Sequence, residues 1–173
     1  MANVKHGVIR TDSMAGTVVG THLVSVRFLG ADGNTPAEID NGCVVEVGDL
    51  IEGERELRKG LIPAADTALK DIAIIATPEV MYDERKKNLD EFVNPVGGNC
   101  RGYRMHEHDM FGLTAEALNI AEGVVPAVGY VVELMAGVKL NVAASATEGS
   151  TQVGVIDAIE KAGRYTYYVI RRV

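Results

Sequence analysis

GVVPAVGYVVELMAGVKLNVAASATEGSTQVGVIDAIEKAGRYTYYVIRRV, residues 123–173, is the stretch whose pattern decides the fold class. Val128, Tyr130, Val132 and Leu134 alternate along one face, and Met135-Ala136-Gly137 turns the chain back into Val138, Leu140 and Val142. After a small polar loop from Ala143 to Ser150, Val153 and Val155 open a third strand. Tyr165, Tyr167 and Val169, backed by Tyr168 and Ile170, make a fourth. Period-two alternation in short runs, broken by glycine-bearing turns, predicts an antiparallel sheet with one buried face. Nothing in these strands resembles chemistry.

Upstream the same grammar continues. Val24, Val26 and Phe28 alternate with Ser25 and Arg27, and Cys43 to Val47 is the next strand, closed by Gly48-Asp49. Residues 54–61 read as a further strand, or residues 52–59 as a short charged helix, because periodicity alone fits both. The run KDIAIIATP, residues 70–78, is too continuously apolar for a half-exposed strand and predicts a buried central one, stopped by Pro78. One short surface helix is expected from Asp83 to Phe92, with Asp83 as its cap, Asn94-Pro95 beyond its end, and Tyr82, Leu89 and Val93 near one stripe. No long helix separates the strands, so a parallel βαβ architecture is disfavoured. Residues 1–21 lack a face to bury: Val8-Ile9 is the only apolar pair before Met14. They read as an extended N-terminal arm, or equally as an edge strand of the main sheet. The expectation is therefore a mainly β protein, an antiparallel barrel or sandwich with one short helix, divided into an arm (1–21) and a single β-rich domain (22–173).

Composition bounds the function. The chain has 173 residues, 47% hydrophobic and 24% charged, enough for one well-cored domain, and its 19 glycines fit a fold with many tight turns. A net charge of −7 argues against nucleic acid as a partner, since phosphate binding needs a basic patch. No apolar run reaches membrane-spanning length and MANVKHGVIR is not a secretory leader, so folding in a cytoplasm is expected. Cys43 and Cys100, far apart and without a CxxC partner, read as reduced thiols.

The sharpest local candidate is His106-Glu107-His108-Asp109. On a strand, His106 and His108 would share a face and present two imidazoles to a metal, as some β-barrel enzymes do. A metal site needs a third ligand and usually a fourth, and His6 and His22 lie far off in or beside the arm. A polar hairpin tip explains the same letters, and no metal or other cofactor is expected. Dinucleotide, phosphate-loop and nucleophile-elbow motifs are all missing.

The segment VKHGVIRTDSMAGT (residues 4–17), leading into a compact glycine-punctuated β domain, resembles the small head-decoration (auxiliary, or cement) proteins of tailed bacteriophages. The block DIAIIATPEVMYDERKKNLDEFVNPVGGNCRGYRMHEHDMFGLT (residues 71–114) is similar to sequences of phage head-associated proteins. That resemblance implies a non-enzymatic virion protein, assembled in the host cytoplasm, bound to the major capsid protein on the capsid exterior, often as a trimer. Val8, Ile9, Arg10 and Thr11 are the residues expected to attach it, by adding a strand to another chain's edge. Other expectations from the same residues are a head-fibre base, a tail component, or a metal-dependent β-barrel enzyme using His106 and His108.

Overall fold

The computed structural model describes residues 4–173, apart from the side chain of Asp12; residues 1–3 of the expected arm lie outside the described residues. Five strands close into a barrel: β2 (Leu23–Phe28), β3 (Val44–Leu50), β4 (Leu57–Leu61), β5 (Ile72–Ile75) and β6 (Cys100–Arg104), in the order β2-β4-β3-β5-β6. Seven more form a curled sheet. They are β1 (Ile9–Ser13), β7 (Met110–Leu113), β8 (Leu118–Ile120), β9 (Val131–Glu133), β10 (Leu140–Ala143), β11 (Gln152–Ala162) and β12 (Tyr165–Arg172), ordered β1-β7-β12-β11-β9-β10-β8. The protein is mainly β, and the barrel-or-sandwich alternative resolves into a barrel beside a sheet. Pairing is antiparallel except at β2–β4 and β8–β10. The parallel barrel pair departs from a purely antiparallel expectation: β3 lies beyond β4, so β4 returns between β3 and β2 in the direction of β2.

β1 and β7 are neighbours in the sheet, with Ser13 opposite Met110, yet the whole barrel lies between them in sequence. The barrel is in effect the loop of a β1–β7 hairpin. Gly42, at φ +84°, turns the chain into β3. A Cβ there would sit 2.7 Å from the Ala117 Cβ and 2.9 Å from Leu113 Cδ2, so both space and backbone favour glycine.

β5 explains the apolar run. All four of its residues are buried. Ile72 and Ile74 face the large core shared with the sheet, alongside Phe111, Leu113, Val132 and Ile170, whereas Ala73 and Ile75 face the barrel interior with Val26, Val45, Cys43 and Cys100. A wall with apolar groups on both sides cannot alternate in polarity. β3 divides likewise, Val44 to the shared core and Val45 to the barrel. Burial pushes the Cys43 thiol up to about 12 and the Cys100 thiol to about 11, which keeps both protonated and unreactive at neutral pH.

Two expectations are corrected. No α-helix forms over residues 83–92; the segment holds one 3₁₀ turn, Leu89–Glu91. The Asp83 carboxylate takes the amide and guanidinium of Arg85 in a tight local turn instead of capping a helix, and Glu91 folds back onto the Lys87 and Asn88 amides, capping that single turn. On β12, Ile170, not Val169, enters the shared core, while Tyr165 and Tyr167 bury on the opposite face against Val8. The sheet is covered on both faces there, so the alternation marks a buried face at Tyr165 and Tyr167 but not the face that meets the shared core. Of the two readings of the N-terminal segment, arm or edge strand, the described residues take the second. Ile9–Ser13 is the edge strand of the sheet, and Val8, Ile9 and Met14 are core residues.

Candidate functional site at the barrel–sheet junction

The chain passes between sheet and barrel twice, and the two crossings touch. The first runs from Met14 through two 3₁₀ turns, Ala15–Thr17 and Gly20–His22, into β2. The second is the tight turn from Met105 to Asp109, between β6 and β7. Asp109 joins them. Its buried carboxylate accepts the Ala15 amide at 2.8 Å and the His106 amide at 2.9 Å, and its carbonyl accepts the Arg172 amide at 2.9 Å. One residue thus joins the three: its side chain ties the N-terminal crossing to the second crossing, and its backbone carbonyl pairs with the last strand.

His106 and His108 do not share a strand face. They flank the turn closed by the Asp109 amide on the His106 carbonyl, and both are exposed. His106 stacks instead on His22, ring centroids 3.7 Å apart and 21° from parallel. His22 Nδ1 is buried and has no hydrogen-bond partner among the described residues. Among the described residues no three His, Cys, Asp or Glu side chains gather as a ligand set. His108 sits at φ +69°, the only non-glycine described with a positive φ. An L side chain pays for that conformation, so His108→Gly should raise stability by about 0.5–1 kcal/mol, read as a shift in denaturation midpoint at constant slope.

The four expected attachment residues lie apart from that turn. Val8 pairs through its backbone with Thr114, and its side chain packs on Tyr165 and Tyr167. Ile9 and Arg10 pair with Leu113 and Gly112. The Arg10 guanidinium lies 5.0 Å over the Tyr167 ring and bonds Glu160 at 3.1 Å, while Thr11 is half-buried. Ahead of them, Gly7 and His6 bind the Asp40 carboxylate, and Lys5 donates its amide to Asp90. The segment is laced to the body along its length.

Asp90 is almost fully buried. It accepts the Tyr165 hydroxyl at 2.7 Å and the Lys5 amide at 3.1 Å, with the Arg164 guanidinium 3.6 Å away. Burial alone would raise its pKa, but the hydroxyl, the amide and the Arg164 charge outweigh it and hold the carboxyl below its usual range. Glu133 behaves alike: burial opposes ionisation, and the Thr147 hydroxyl and amide with the Asn141 amide reverse the balance. Glu91 is held at about 2, chiefly by the Lys87 and Asn88 amides. Folded values below unfolded ones mean stability that is complete above the unfolded values, near 4, and is withdrawn as pH falls through the folded ones. Thermal scans across acidic pH should show the melting temperature falling from about pH 4 downward. Asp90→Asn should flatten that acid limb; an unchanged limb would remove Asp90 from the linkage.

Sequence reading missed these carboxylates for a definite reason. Glu133 has the parity opposite to Val132 and Leu134 and reads as solvent-facing; it is buried because the 143–150 loop folds over it. Asp109 could have been suspected as the last polar residue before an apolar strand, but its partner Ala15 is remote in sequence. No protein-family model, curated protein or solved structure matches this chain.

Proposed function

We propose that the chain is a non-enzymatic structural protein of a tailed-phage virion, a homo-oligomer, with a trimer favoured, that binds the major capsid protein on the head exterior and stabilises the shell. The observation that carries this reading is where the most exposed large apolar side chains lie. Val18, Tyr82 and Val125 are 87%, 95% and 80% exposed, and all three stand in connections between strands. Apolar groups offered by loops of a well-packed β body suit burial against another macromolecule better than capture of a small molecule. A shell with many copies of one site turns modest contacts into durable attachment. The net charge of −7 keeps such a protein off the packaged DNA.

Attachment moves along the N-terminal segment from where the sequence put it. Val8 and Ile9 are committed to the core, whereas Val18 and Val19 stand exposed on the crossing that Asp109 anchors. The outer edge of β1, with Arg10 and Thr11, offers main-chain groups for strand addition. Heads assembled without this chain should take up the purified protein saturably, sediment with it and rupture at a higher temperature. Val18→Asp with Val19→Asp should weaken uptake by about tenfold or more while leaving the melting temperature unchanged. Failure of the intact protein to co-sediment with heads would end this reading.

A further inference from the structure

Four arginines that are scattered in sequence meet in one groove. Arg55, Arg58, Arg101 and Arg104 line a depression of about 740 Å³ bordered by β2, β4 and β6, with Glu56 the one carboxylate among the described residues of its wall. Two of the four are pinned by backbone carbonyls: Arg58 donates to Gly48 at 3.2 Å and Arg104 to Lys70 at 2.9 Å. Arg55 and Arg101 are exposed, and their guanidinium groups make no ion pair or hydrogen bond among the described residues. In a protein of net charge −7, a groove with four cations and one carboxylate stands against the charge of the whole.

A second groove of about 530 Å³ continues the first, the two sharing Thr77, Pro78 and Asn99. Its wall is largely apolar, with Val80, Tyr82, Phe92 and Val93, and its charges are Lys86 and Asp83. Asp83 is already engaged by Arg85. Across both grooves five cations therefore face two carboxylates, and one of those two is neutralised within the chain. Val80 and Tyr82 remain 59% and 95% exposed.

We propose that these contiguous grooves bind an extended acidic segment of a partner protein. Its carboxylates would lie along Arg55, Arg58, Arg101 and Arg104, and a neighbouring aliphatic or aromatic side chain would lie against Val80 and Tyr82. Guanidinium forks match carboxylate geometry and tolerate partial burial, and the pinned pair is held ready while the unpaired pair is free to close on the ligand. The apolar extension selects for a chain bearing both charge and hydrophobic side chains, which a bare small anion does not. A polynucleotide is the lesser candidate, because the remaining acidic surface repels a long polyanion more than a short segment with few charges. The inference stands apart from the virion reading: the acidic segment can belong to any partner.

The test is selection from a library of random linear peptides against the intact protein, followed by amide chemical-shift mapping with an enriched peptide. Enriched sequences should carry Asp or Glu beside an apolar residue, and the shifts should cluster on residues 55–58, 77–82 and 99–104. The Arg55→Ala, Arg101→Ala pair should weaken peptide binding by about tenfold or more, read by fluorescence anisotropy, with an unchanged melting temperature because both side chains are exposed. Tyr82→Ala should weaken the same peptide without affecting its salt dependence. The proposal is overturned if no peptides enrich, if those that do lack acidic residues, if shifts fall elsewhere, or if the arginine variant binds equally well. Tighter binding of a single-stranded oligonucleotide through the same arginines would overturn it in favour of a nucleic-acid groove.

Discussion

A chain beginning at His22 should fail to fold cooperatively. Removing residues 1–21 strips β1 from β7 and takes away Val8, Ile9 and Met14, each under a tenth exposed. Each fully buried side chain of this kind is worth about 1.5–3 kcal/mol. Together their loss rivals the whole stability of a typical domain, about 5–15 kcal/mol. It also uncovers Tyr165 and Tyr167, removes the Lys5 amide from Asp90 and takes the Ala15 amide from Asp109. The truncated chain should show no sharp thermal transition and should aggregate or bind a hydrophobic dye. Met14→Ala in the full chain gives a graded version, costing about 2–5 kcal/mol by denaturant unfolding. A truncated chain that melts as sharply and as high as the intact one would show that the segment contributes nothing to the body.

The second large effect belongs to β5. Ile74→Ala should cost about 2–5 kcal/mol, because Ile74 is wholly buried in the shared core on a strand with no solvent-facing side. Ile75→Ala opens a cavity in the barrel interior instead, and because the two residues are consecutive on β5 the double variant measures how far the two cavities couple through the strand. A denaturation midpoint unmoved by Ile74→Ala would place this strand at the surface. If the double variant loses far less than the sum, the wall yields as one unit and the two cavities are not separate.

Short-range signals were legible where the local environment is simple. The 72–75 run reads as buried because both its faces are, and the β9–β10 hairpin reads correctly because Val132, Leu140 and Val142 share one core. Legibility ended where a distant segment supplied the environment. Tyr165 and Tyr167 are buried by Val8, Glu133 by the Thr147 loop, and His106 meets a ring from β2's entry turn; none of these neighbours lies close in sequence. Val8-Ile9 is a small apolar set on its own, yet Ile9 joins the large shared core and Val8 packs with Tyr165 and Tyr167, partners that lie far along the chain. The expected helix failed for the converse reason, since local side-chain bonds from Asp83 and Glu91 compete with helical turns. The arginine groove was invisible because the chain as a whole is acidic, and two strands and a loop are needed to gather its four cations.

The nesting of the barrel inside the β1–β7 pair sets an order of events. Bringing Ile9 opposite Leu113 in an unfolded chain closes a loop of most of the first two-thirds of the sequence, an entropy cost with little local reward. Once β2 to β6 have closed into their barrel, that loop is already short-circuited, because Leu23 and Tyr103 are paired and the flanking segments emerge side by side. β1 and β7 then meet as the two arms of an ordinary hairpin. The barrel should therefore form first and act as the template on which the outermost strand is laid last. In pulse-labelled hydrogen exchange, amides of β2, β3, β5 and β6 should gain protection ahead of those pairing β1 with β7; simultaneous protection would mean that the two layers condense together.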